Sequence, residues 1–239
     1  AYSATLAEAS ANIESADDPE QLKELVTGLA AATQQVQTEN ASLEQRLDTS
    51  TREVARLREH LEQVRRDAMT DALTNLANRK AFDIELESAT EASEANGSPL
   101  ALAVLDIDHF KRFNDTWGHQ TGDQVLRYVA SVLAKLSAAP RFAARYGGEE
   151  FALIFPTEKT AAVMNALECI RKEIRSRALR RRSTNDDLGA VTISIGFAQR
   201  LPGESASALL ERADAALYES KRGGRDKTTR AGGQQQVAA

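Results

Sequence analysis

The fold is decided by one short stretch, Arg145-Tyr146-Gly147-Gly148-Glu149-Glu150-Phe151. Apolar runs of strand length flank it at 141–144 and 152–155. Two glycines between two such runs predict a β-hairpin with a tight turn, because glycine enters positive φ freely. The turn places two adjacent carboxylates at the edge of the sheet. Short motifs also match by chance, so a merely solvated turn is the alternative when the stretch is taken alone.

The order of elements around the hairpin predicts an α+β fold. From Leu100 onward the order is strand, helix, strand, hairpin turn, strand, helix, strand and helix, a split βαβ arrangement around a mostly antiparallel sheet with flanking helices. The predicted strands cover 100–105, 141–144, 152–155 and 190–198, and the predicted helices cover 80–96, 109–115, 124–137, 158–179 and 206–221. Because the strands flanking the first helix of this arrangement are commonly neighbours, the end of the first strand is predicted to lie beside the hairpin.

Three carboxylates, Asp106, Glu149 and Glu150, are thereby predicted to converge. An acid at the mouth of a buried strand costs on the order of several kcal/mol unless it is paired or holds a metal. The short helix that follows, with Asp108 as its cap, offers N-terminal amides and Lys111 to a phosphate. Oxygen ligands suit Mg²⁺ or Mn²⁺, and the sequence has no cysteine and histidine set for zinc. These residues predict a divalent metal site for a nucleoside triphosphate.

A heptad pattern upstream predicts a coiled coil. After a helix start at 17–20, apolar residues recur from Leu22 to Ala68 in alternating steps of three and four, with one extra step of four at Asn40. Valine at an a position and leucines at d positions favour a parallel dimer. The alternative is a long helix packed on its own domain, but the seam is narrow and its flanks are charged. We therefore predict a helical region at 1–66 with a parallel dimeric coiled coil from about residue 20, a globular domain at 67–228 and a disordered tail at 229–239.

Composition narrows the class of protein. The 239 residues carry a net charge of −5, which gives no reason to expect nucleic acid or an anionic membrane as a partner. The single cysteine, Cys169, excludes an internal disulfide, suits a reducing cytoplasm and is interpreted as a packing residue. No apolar stretch reaches the roughly 18 residues of a membrane span, and no signal peptide is present. We expect a cytoplasmic protein, and a chain that begins at Ala1 leaves room for a sensory domain upstream.

Five motifs in order resemble those of the GGDEF domains, the diguanylate cyclases. They are 71–79 (DALTNLANR), 106–115 (DIDHFKRFND), 118–123 (GHQTGD), 145–151 (RYGGEEF) and 213–221 (ADAALYESK), the last followed by Gly224 and Arg225. The resemblance covers about residues 67–228 and not the predicted coiled coil, although a helical dimerisation segment is familiar just upstream of such domains. The hairpin motif carries Glu in place of Asp at its third position, a variant that active members of the family share.

The resemblance implies a palm-like cyclase domain that condenses two GTP molecules into cyclic di-GMP and releases two pyrophosphates. Each ribose 3′-OH would attack the α-phosphate of the other GTP, so two domains must face each other, and the coiled coil would bring them together and set the activity. By motif position, Asp106, Glu149 and the Ile107 carbonyl would hold Mg²⁺ or Mn²⁺, with Glu150 shared between metal and 3′-OH. The other implied GTP contacts are Lys111, Lys221, Arg225 and the Phe110 amide at the phosphates, Asn114 and Asp123 at guanine, and Leu73 against the base.

Many members of the family carry Arg-x-x-Asp shortly before the hairpin, where a product dimer binds and inhibits. In this chain Ala138 and Arg141 occupy those two positions. We therefore expect the inhibitory product site to be absent, although Arg141 or the basic cluster at 171–182 could still meet a phosphate. Two alternatives to an enzyme are a catalytically silent module that binds GTP or cyclic di-GMP, and a structural coiled-coil adaptor. The complete set of acidic residues argues against both.

Overall fold

The computed structural model describes residues 19–180 and 187–232 of the chain. The chain is divided into two compact units, residues 1–64 and residues 65–239. The predicted helical pattern at 1–16 and the predicted acidic cap at 17–18 lie outside the described residues. No described helix is both long enough and apolar enough to cross a membrane.

The first unit is formed by one long helix, α1 (Pro19–Met69), which continues beyond it. Large apolar side chains on α1 are exposed, and they include six members of the predicted heptad seam: Leu43, Leu47, Val54, Leu57, Leu61 and Val64. Leu57 is 59% and Leu61 71% exposed. A narrow apolar stripe on a helix that is otherwise polar is typical of a coiled-coil seam.

The second unit holds a five-stranded sheet covered by helices. Its elements are α2 (Arg79–Asn96), β1 (Leu100–Ile107), α3 (Phe110–Trp117), α4 (His119–Leu136), β2 (Phe142–Arg145), β3 (Glu150–Pro156), α5 (Thr160–Ser176), β4 (Ala178–Arg180), β5 (Asp187–Ala190), β6 (Ile193–Gln199), α6 (Ala206–Arg222) and β7 (Thr228–Arg230). The strand order is β2-β3-β1-β6-β7, and only the β6–β7 pair is parallel. A separate two-stranded sheet pairs β4 with β5. The predicted α+β fold with a mostly antiparallel sheet is confirmed.

The sheet is buried on both faces because β1 is apolar at nearly every position. Ala101, Ala103 and Leu105 belong to a cluster with the apolar faces of α4 and α5. Leu102 and Val104 belong to a second cluster with α2 and α6. This alternation follows from the two-residue period of a strand. The single polar residue of β1, Asp106, therefore reaches the end of the strand inside a packed structure.

The predicted loop between α3 and α4 is wrong. Gly118 alone separates the two helices, with φ 79° and ψ 156°, and α4 begins at His119 instead of Gln124. The hydroxyl of Thr121 donates to the Trp117 carbonyl, which compensates one carbonyl at the end of α3. One glycine in the left-handed half of the Ramachandran map is enough to redirect the chain.

Asp108 does not cap α3, contrary to the prediction. The N-cap position is His109, with φ 59° and no side-chain hydrogen bond to the helix. The Asp108 carboxylate instead accepts hydrogen bonds from the hydroxyls of Thr192, at 2.7 Å, and Ser194, at 2.6 Å. Two hydroxyl donors on the neighbouring strand segment thus outcompete the helix amides.

The hairpin forms as predicted, but its glycines serve another purpose. Neither Gly147 nor Gly148 has a positive φ. A Cβ at Gly147 would lie 2.6 Å from Oε2 of Glu150, whereas a Cβ at Gly148 would meet nothing within 4 Å. The first glycine leaves room for the Glu150 carboxylate that lies against it.

The end of the domain also differs from the prediction. The predicted disordered tail is wrong at Thr229 and Arg230, which belong to β7 and pair with β6. The edge of β6 provides free hydrogen-bonding groups, and β-branched threonines suit a strand. The helix predicted at 158–179 ends at Ser176 and is followed by β4, and β5 begins at Asp187, before the start of the strand predicted at 190–198. Cys169 is exposed, so its interpretation as a packing residue is wrong.

Candidate active site

Asp106 lies at the centre of the candidate site. In the β1–β3 register it is directly opposite Glu150, so the predicted proximity of the first strand's end and the hairpin is confirmed. Asp106 is only 6% exposed, while Glu149 and Glu150 are partly exposed. The backbone N–H of Ile107 donates to the Glu149 carbonyl at 3.4 Å and ties the hairpin to the end of β1.

The site holds more negative charge than its surroundings compensate. Burial raises the pKa of Asp106, and the ion pair with Lys221, at 2.8 Å between Nζ and Oδ2, opposes this only in part. Burial also raises the pKa of Glu149, and the charge of Asp106 raises it further. Both shifts mean that the ionised carboxylates are under-compensated, since burial disfavours the charged form. A bound cation would relieve this imbalance.

The three predicted carboxylates lie near one another, because Asp106 is opposite Glu150 in the register and the charges of both act on Glu149. Among the described residues no three Asp, Glu, His or Cys side chains are grouped closely enough to hold a metal. One reason is that the Lys221 ammonium occupies the position next to Asp106. The other is that the Glu150 carboxylate lies against Gly147. In donor chemistry the carboxylates of Asp106 and Glu149 still suit Mg²⁺ or Mn²⁺, which prefer charged oxygen ligands.

The predicted phosphate-binding cations approach the site from different elements. Lys221 lies in the last turn of α6, and Arg225 lies in the loop after it. Arg225 is close enough for its charge to act on Asp106, where it lowers the pKa. Lys111 is exposed in the first turn of α3, next to the buried Phe110. Lys221 and Arg225 are thus brought to Asp106, while Lys111 faces solvent.

The residues expected to recognise guanine lie around the α3–α4 junction. Asn114 Oδ1 is buried and accepts no hydrogen bond from the described residues. A Cβ at Gly122 would overlap this oxygen, so the glycine makes room for the Asn114 side chain. Asp123, in the early part of α4, is half-buried, and Leu73, in the segment between α1 and α2, packs against the core cluster that includes residues of α4. A buried acceptor without a donor is costly unless a ligand supplies the donor.

A side-chain pair that the sequence pattern does not reveal holds the hairpin at 145–151. Arg145 Nη1 lies 3.1 Å and 3.2 Å from the two carboxylate oxygens of Asp71, and its Nη2 donates to the Gly148 carbonyl at 2.7 Å. Burial acts to raise the pKa of Asp71, but hydrogen bonds from Thr74 and Arg145 outweigh it and hold the pKa below its usual value. The backbone N–H of Arg145 also donates to the Ala77 carbonyl at 2.8 Å. The two motifs at 71–79 and 145–151 are therefore one structural unit.

Arg141 is already engaged within the domain. Its Nε and Nη2 donate to the two oxygens of the Glu158 carboxylate at 2.6 Å and 3.0 Å, and its Nη1 donates to the Leu136 carbonyl at 3.0 Å. Its guanidinium also lies 5.3 Å from the centre of the Phe155 ring. These contacts leave little of Arg141 for a phosphate. Ala138 offers no polar side chain at the other position of the expected inhibitory motif.

The comparisons with curated proteins agree on one family. The family model described as "Diguanylate cyclase, GGDEF domain" matches residues 68–227. The chain is 36% identical over 208 residues to the diguanylate cyclase VdcA of Vibrio cholerae, covering 87% of this chain and 60% of that protein. It is 37% identical over 232 residues to the diguanylate cyclase DgcP of Pseudomonas aeruginosa, covering 91% of this chain and 34% of that protein. The chain spans less than two thirds of the length of either relative.

The comparisons with solved structures extend to the helical region. The coiled coil and GGDEF domain of DgcB from Caulobacter crescentus, solved in complex with c-di-GMP, is 68% identical with a TM-score of 0.77, covering 80% of this chain and 100% of that one. The diguanylate cyclase SiaD of Pseudomonas aeruginosa, solved with its activator SiaC, is 33% identical with a TM-score of 0.65, covering 95% of this chain and 90% of that one. By family model, curated relatives and structural likeness, the chain belongs to the GGDEF family of diguanylate cyclase domains.

Proposed function

We propose that this protein is a diguanylate cyclase of bacterial second-messenger signalling, which condenses two GTP into cyclic di-GMP and two pyrophosphates. The observation that carries the proposal is the under-compensated pair Asp106 and Glu149 beside Lys221 and Arg225. Carboxylates and cations mixed at one strand end suit a metal-bound triphosphate. The relatives' names support the same activity.

Asp106, Glu149 and the Ile107 carbonyl would hold Mg²⁺ or Mn²⁺, which would neutralise charge on the phosphates. The donor chemistry and the raised pKa values of the two carboxylates support this assignment. Lys111, Lys221 and Arg225 would bind the triphosphate, and phosphoryl transfer depends mainly on such alignment and charge neutralisation. Lys221 pairs with Asp106 here, so it would exchange that carboxylate for phosphate when GTP binds.

Glu150 would accept the proton of the ribose 3′-OH as that oxygen attacks the α-phosphate of the GTP on the partner domain. It lies opposite Asp106 in the register, at the rim of the site, and it is partly exposed. Partial exposure allows a second domain to present its substrate there. Each domain would thus supply one GTP and one proton acceptor, and the attack would occur twice for each cyclic di-GMP, releasing one pyrophosphate each time.

Guanine would be recognised by Asn114 and Asp123, with Leu73 against the base. The unpartnered Asn114 Oδ1 is an acceptor that suits an N–H donor of the ligand. A carboxylate at Asp123 accepts from the N1–H and 2-amino group of guanine, which adenine does not offer. A site that leaves a buried polar group unpaired with the wrong base discriminates strongly.

Dimerisation through α1 would bring the catalytic domains of two chains together. The coiled coil would set the activity, because it controls whether the two domains meet. The exposed seam of Leu43, Leu47, Val54, Leu57, Leu61 and Val64 supports this. The solved DgcB relative also contains a coiled coil, and the SiaD relative was solved with an activator. A sensory domain upstream remains part of the proposal, as does a cytoplasmic location, which the single cysteine suits.

A catalytically silent module that binds GTP or cyclic di-GMP is the second candidate. It is favoured by the two DgcB structures, both of which were solved with c-di-GMP. The test is incubation of the purified chain with GTP and Mg²⁺, with the products identified by mass spectrometry. We expect cyclic di-GMP and pyrophosphate from GTP and no cyclic product from ATP. Binding of GTP or cyclic di-GMP without turnover would instead establish the silent module.

A further inference from the structure

The loop after α6 holds Arg225 in an uncommon backbone conformation. Gly224, Arg225 and Asp226 have φ values of 104°, 64° and 44°. Residues with a Cβ rarely adopt this region unless surrounding contacts hold them there. The backbone N–H of Arg225 donates to the Ser220 carbonyl at 3.0 Å, yet its guanidinium makes no hydrogen bond or ion pair in the part of the chain that the structure describes. The loop thus presents a cation without a bonded protein partner.

Asp226 fixes this loop through all of its polar groups. Its backbone N–H donates to Asp108 Oδ2 at 3.0 Å, and its carbonyl accepts from Arg171 Nη1 at 3.0 Å. Its carboxylate accepts from Arg171 Nη1 at 2.6 Å and pairs with Arg175 Nη1 at 2.9 Å. Asp226 therefore connects the loop to Asp108, which directly follows β1, and to α5 through two arginines.

The arginine on α5 is itself held in place. Arg171 forms two hydrogen bonds with the Glu168 carboxylate, at 3.1 Å and 2.8 Å, and its side chain is 13% exposed. Glu168 in turn accepts from the Thr228 hydroxyl at 2.7 Å. A planar guanidinium with its donors shared between two carboxylates has little freedom to move. The loop that carries Arg225 is therefore attached to a side chain of α5 that is itself restrained.

We propose that Asp226 and Arg171 are positioning residues, which hold Arg225 where its guanidinium meets the phosphates of GTP. This inference rests on the proposed function, because it takes GTP as the ligand. Binding an anion through an arginine on a mobile loop costs the ordering of both backbone and side chain, and a loop that is already fixed leaves only the side-chain rotamers to be ordered. Asp226 and Arg171 touch neither substrate nor metal. They act through Arg225.

The first test measures binding of a non-hydrolysable GTP analogue by calorimetry, with guanosine measured by competition. Asp226→Ala should weaken binding of the analogue about tenfold and leave guanosine unchanged, because guanosine has no phosphate. Asp226→Asn keeps an acceptor for Arg171 and tolerates the left-handed backbone, so it should stay within about threefold of the parent chain. Arg175→Ala is the matched control. This variant removes the second arginine that pairs with the Asp226 carboxylate. Because the Arg175 side chain is 61% exposed, we expect the affinity for the analogue to change by less than about twofold.

The second test is a double-mutant cycle with Arg225→Ala. If Asp226 acts through Arg225, the double variant should bind the analogue no more weakly than Arg225→Ala alone. Independent effects that multiply, or equal losses for the analogue and guanosine, would overturn the inference. Should Asp226→Ala fail to fold, Arg171→Lys takes its place in the cycle, because lysine keeps the charge but cannot bridge both carboxylates.

The two proposals fail in different ways. A parent chain that forms no cyclic di-GMP contradicts the proposed function, while the binding cycle still reports on Asp226. A parent chain that turns over GTP, with multiplying effects in the cycle, contradicts only the positioning role.

Discussion

Replacing Leu57 and Leu61 together by lysine should separate the proposed dimer. In the single chain these side chains are 59% and 71% exposed, so roughly two thirds of each is available to be buried by a partner. Full burial of a leucine contributes about 1.5–3 kcal/mol, which gives about 1–2 kcal/mol for each side chain and about 4–8 kcal/mol for the four in a dimer. At about 1.4 kcal/mol for each factor of ten, the dimer should weaken by about 10³-fold or more, before charge repulsion is counted.

The assay compares sedimentation with cyclic di-GMP formation across a range of protein concentrations. The variant should sediment as a monomer, and its rate per chain should fall steeply on dilution, while each separated domain still binds GTP. Thr49→Lys with Ala55→Lys is the control, because it adds the same charges at exposed positions of α1 away from the seam. Monomers with undiminished activity would refute the reasoning.

Four further predictions concern the site and its regulation. Asp106→Asn and Glu150→Gln should each lower turnover by at least ~10²-fold, and retention of more than about a tenth would exclude that residue from the chemistry. Burial raises the pKa of Asp106, so without Mg²⁺ its contribution to stability should be present below its ordinary pKa and be lost as pH rises through the raised pKa. As pH rises, the melting temperature of Asp106→Asn should therefore fall less than that of the parent chain. Identical pH profiles for the two proteins would contradict this. Arg145→Ala should cost about 1–3 kcal/mol, lower the melting temperature by several degrees and reduce turnover about tenfold, since it releases Asp71 and the hairpin; unchanged turnover would show that the hairpin holds itself. Added cyclic di-GMP should inhibit only weakly in progress curves, because Ala138 replaces the expected arginine; sub-micromolar inhibition would show a product site elsewhere.

The local sequence pattern was sufficient to predict the hairpin, the antiparallel centre of the sheet and the position of Asp106 beside the hairpin. The continuous apolar run of β1 and the two runs around the turn have one reasonable arrangement, an antiparallel centre with Asp106 at its end. The exposed apolar seam of α1 was likewise predictable from its period. These features depend on residues close in sequence or on a repeat, and the sequence shows both directly.

Contacts between distant side chains could not be predicted in the same way. Arg145 and Asp71 are 74 residues apart, and Arg171 and Asp226 are 55 apart. Nothing in the local pattern distinguishes Arg171 from the other basic residues of its helix. The late strand β7 was missed for a related reason, because a three-residue strand has too short a pattern and forms only where β6 offers an edge.

The two glycines of the hairpin motif differ in how readily the folded chain would accept another residue in their place. At Gly147 a side chain would have to displace the Glu150 carboxylate, which lies 2.6 Å from the position of a Cβ. At Gly148 the backbone is ordinary and the space is open, so the folded chain alone would accept alanine. Any selection that keeps glycine at Gly148 must therefore act through something that approaches the hairpin from outside. Substitutions at Gly148 would therefore probe what binds to the hairpin, whereas substitutions at Gly147 would probe the placement of Glu150 within the protein.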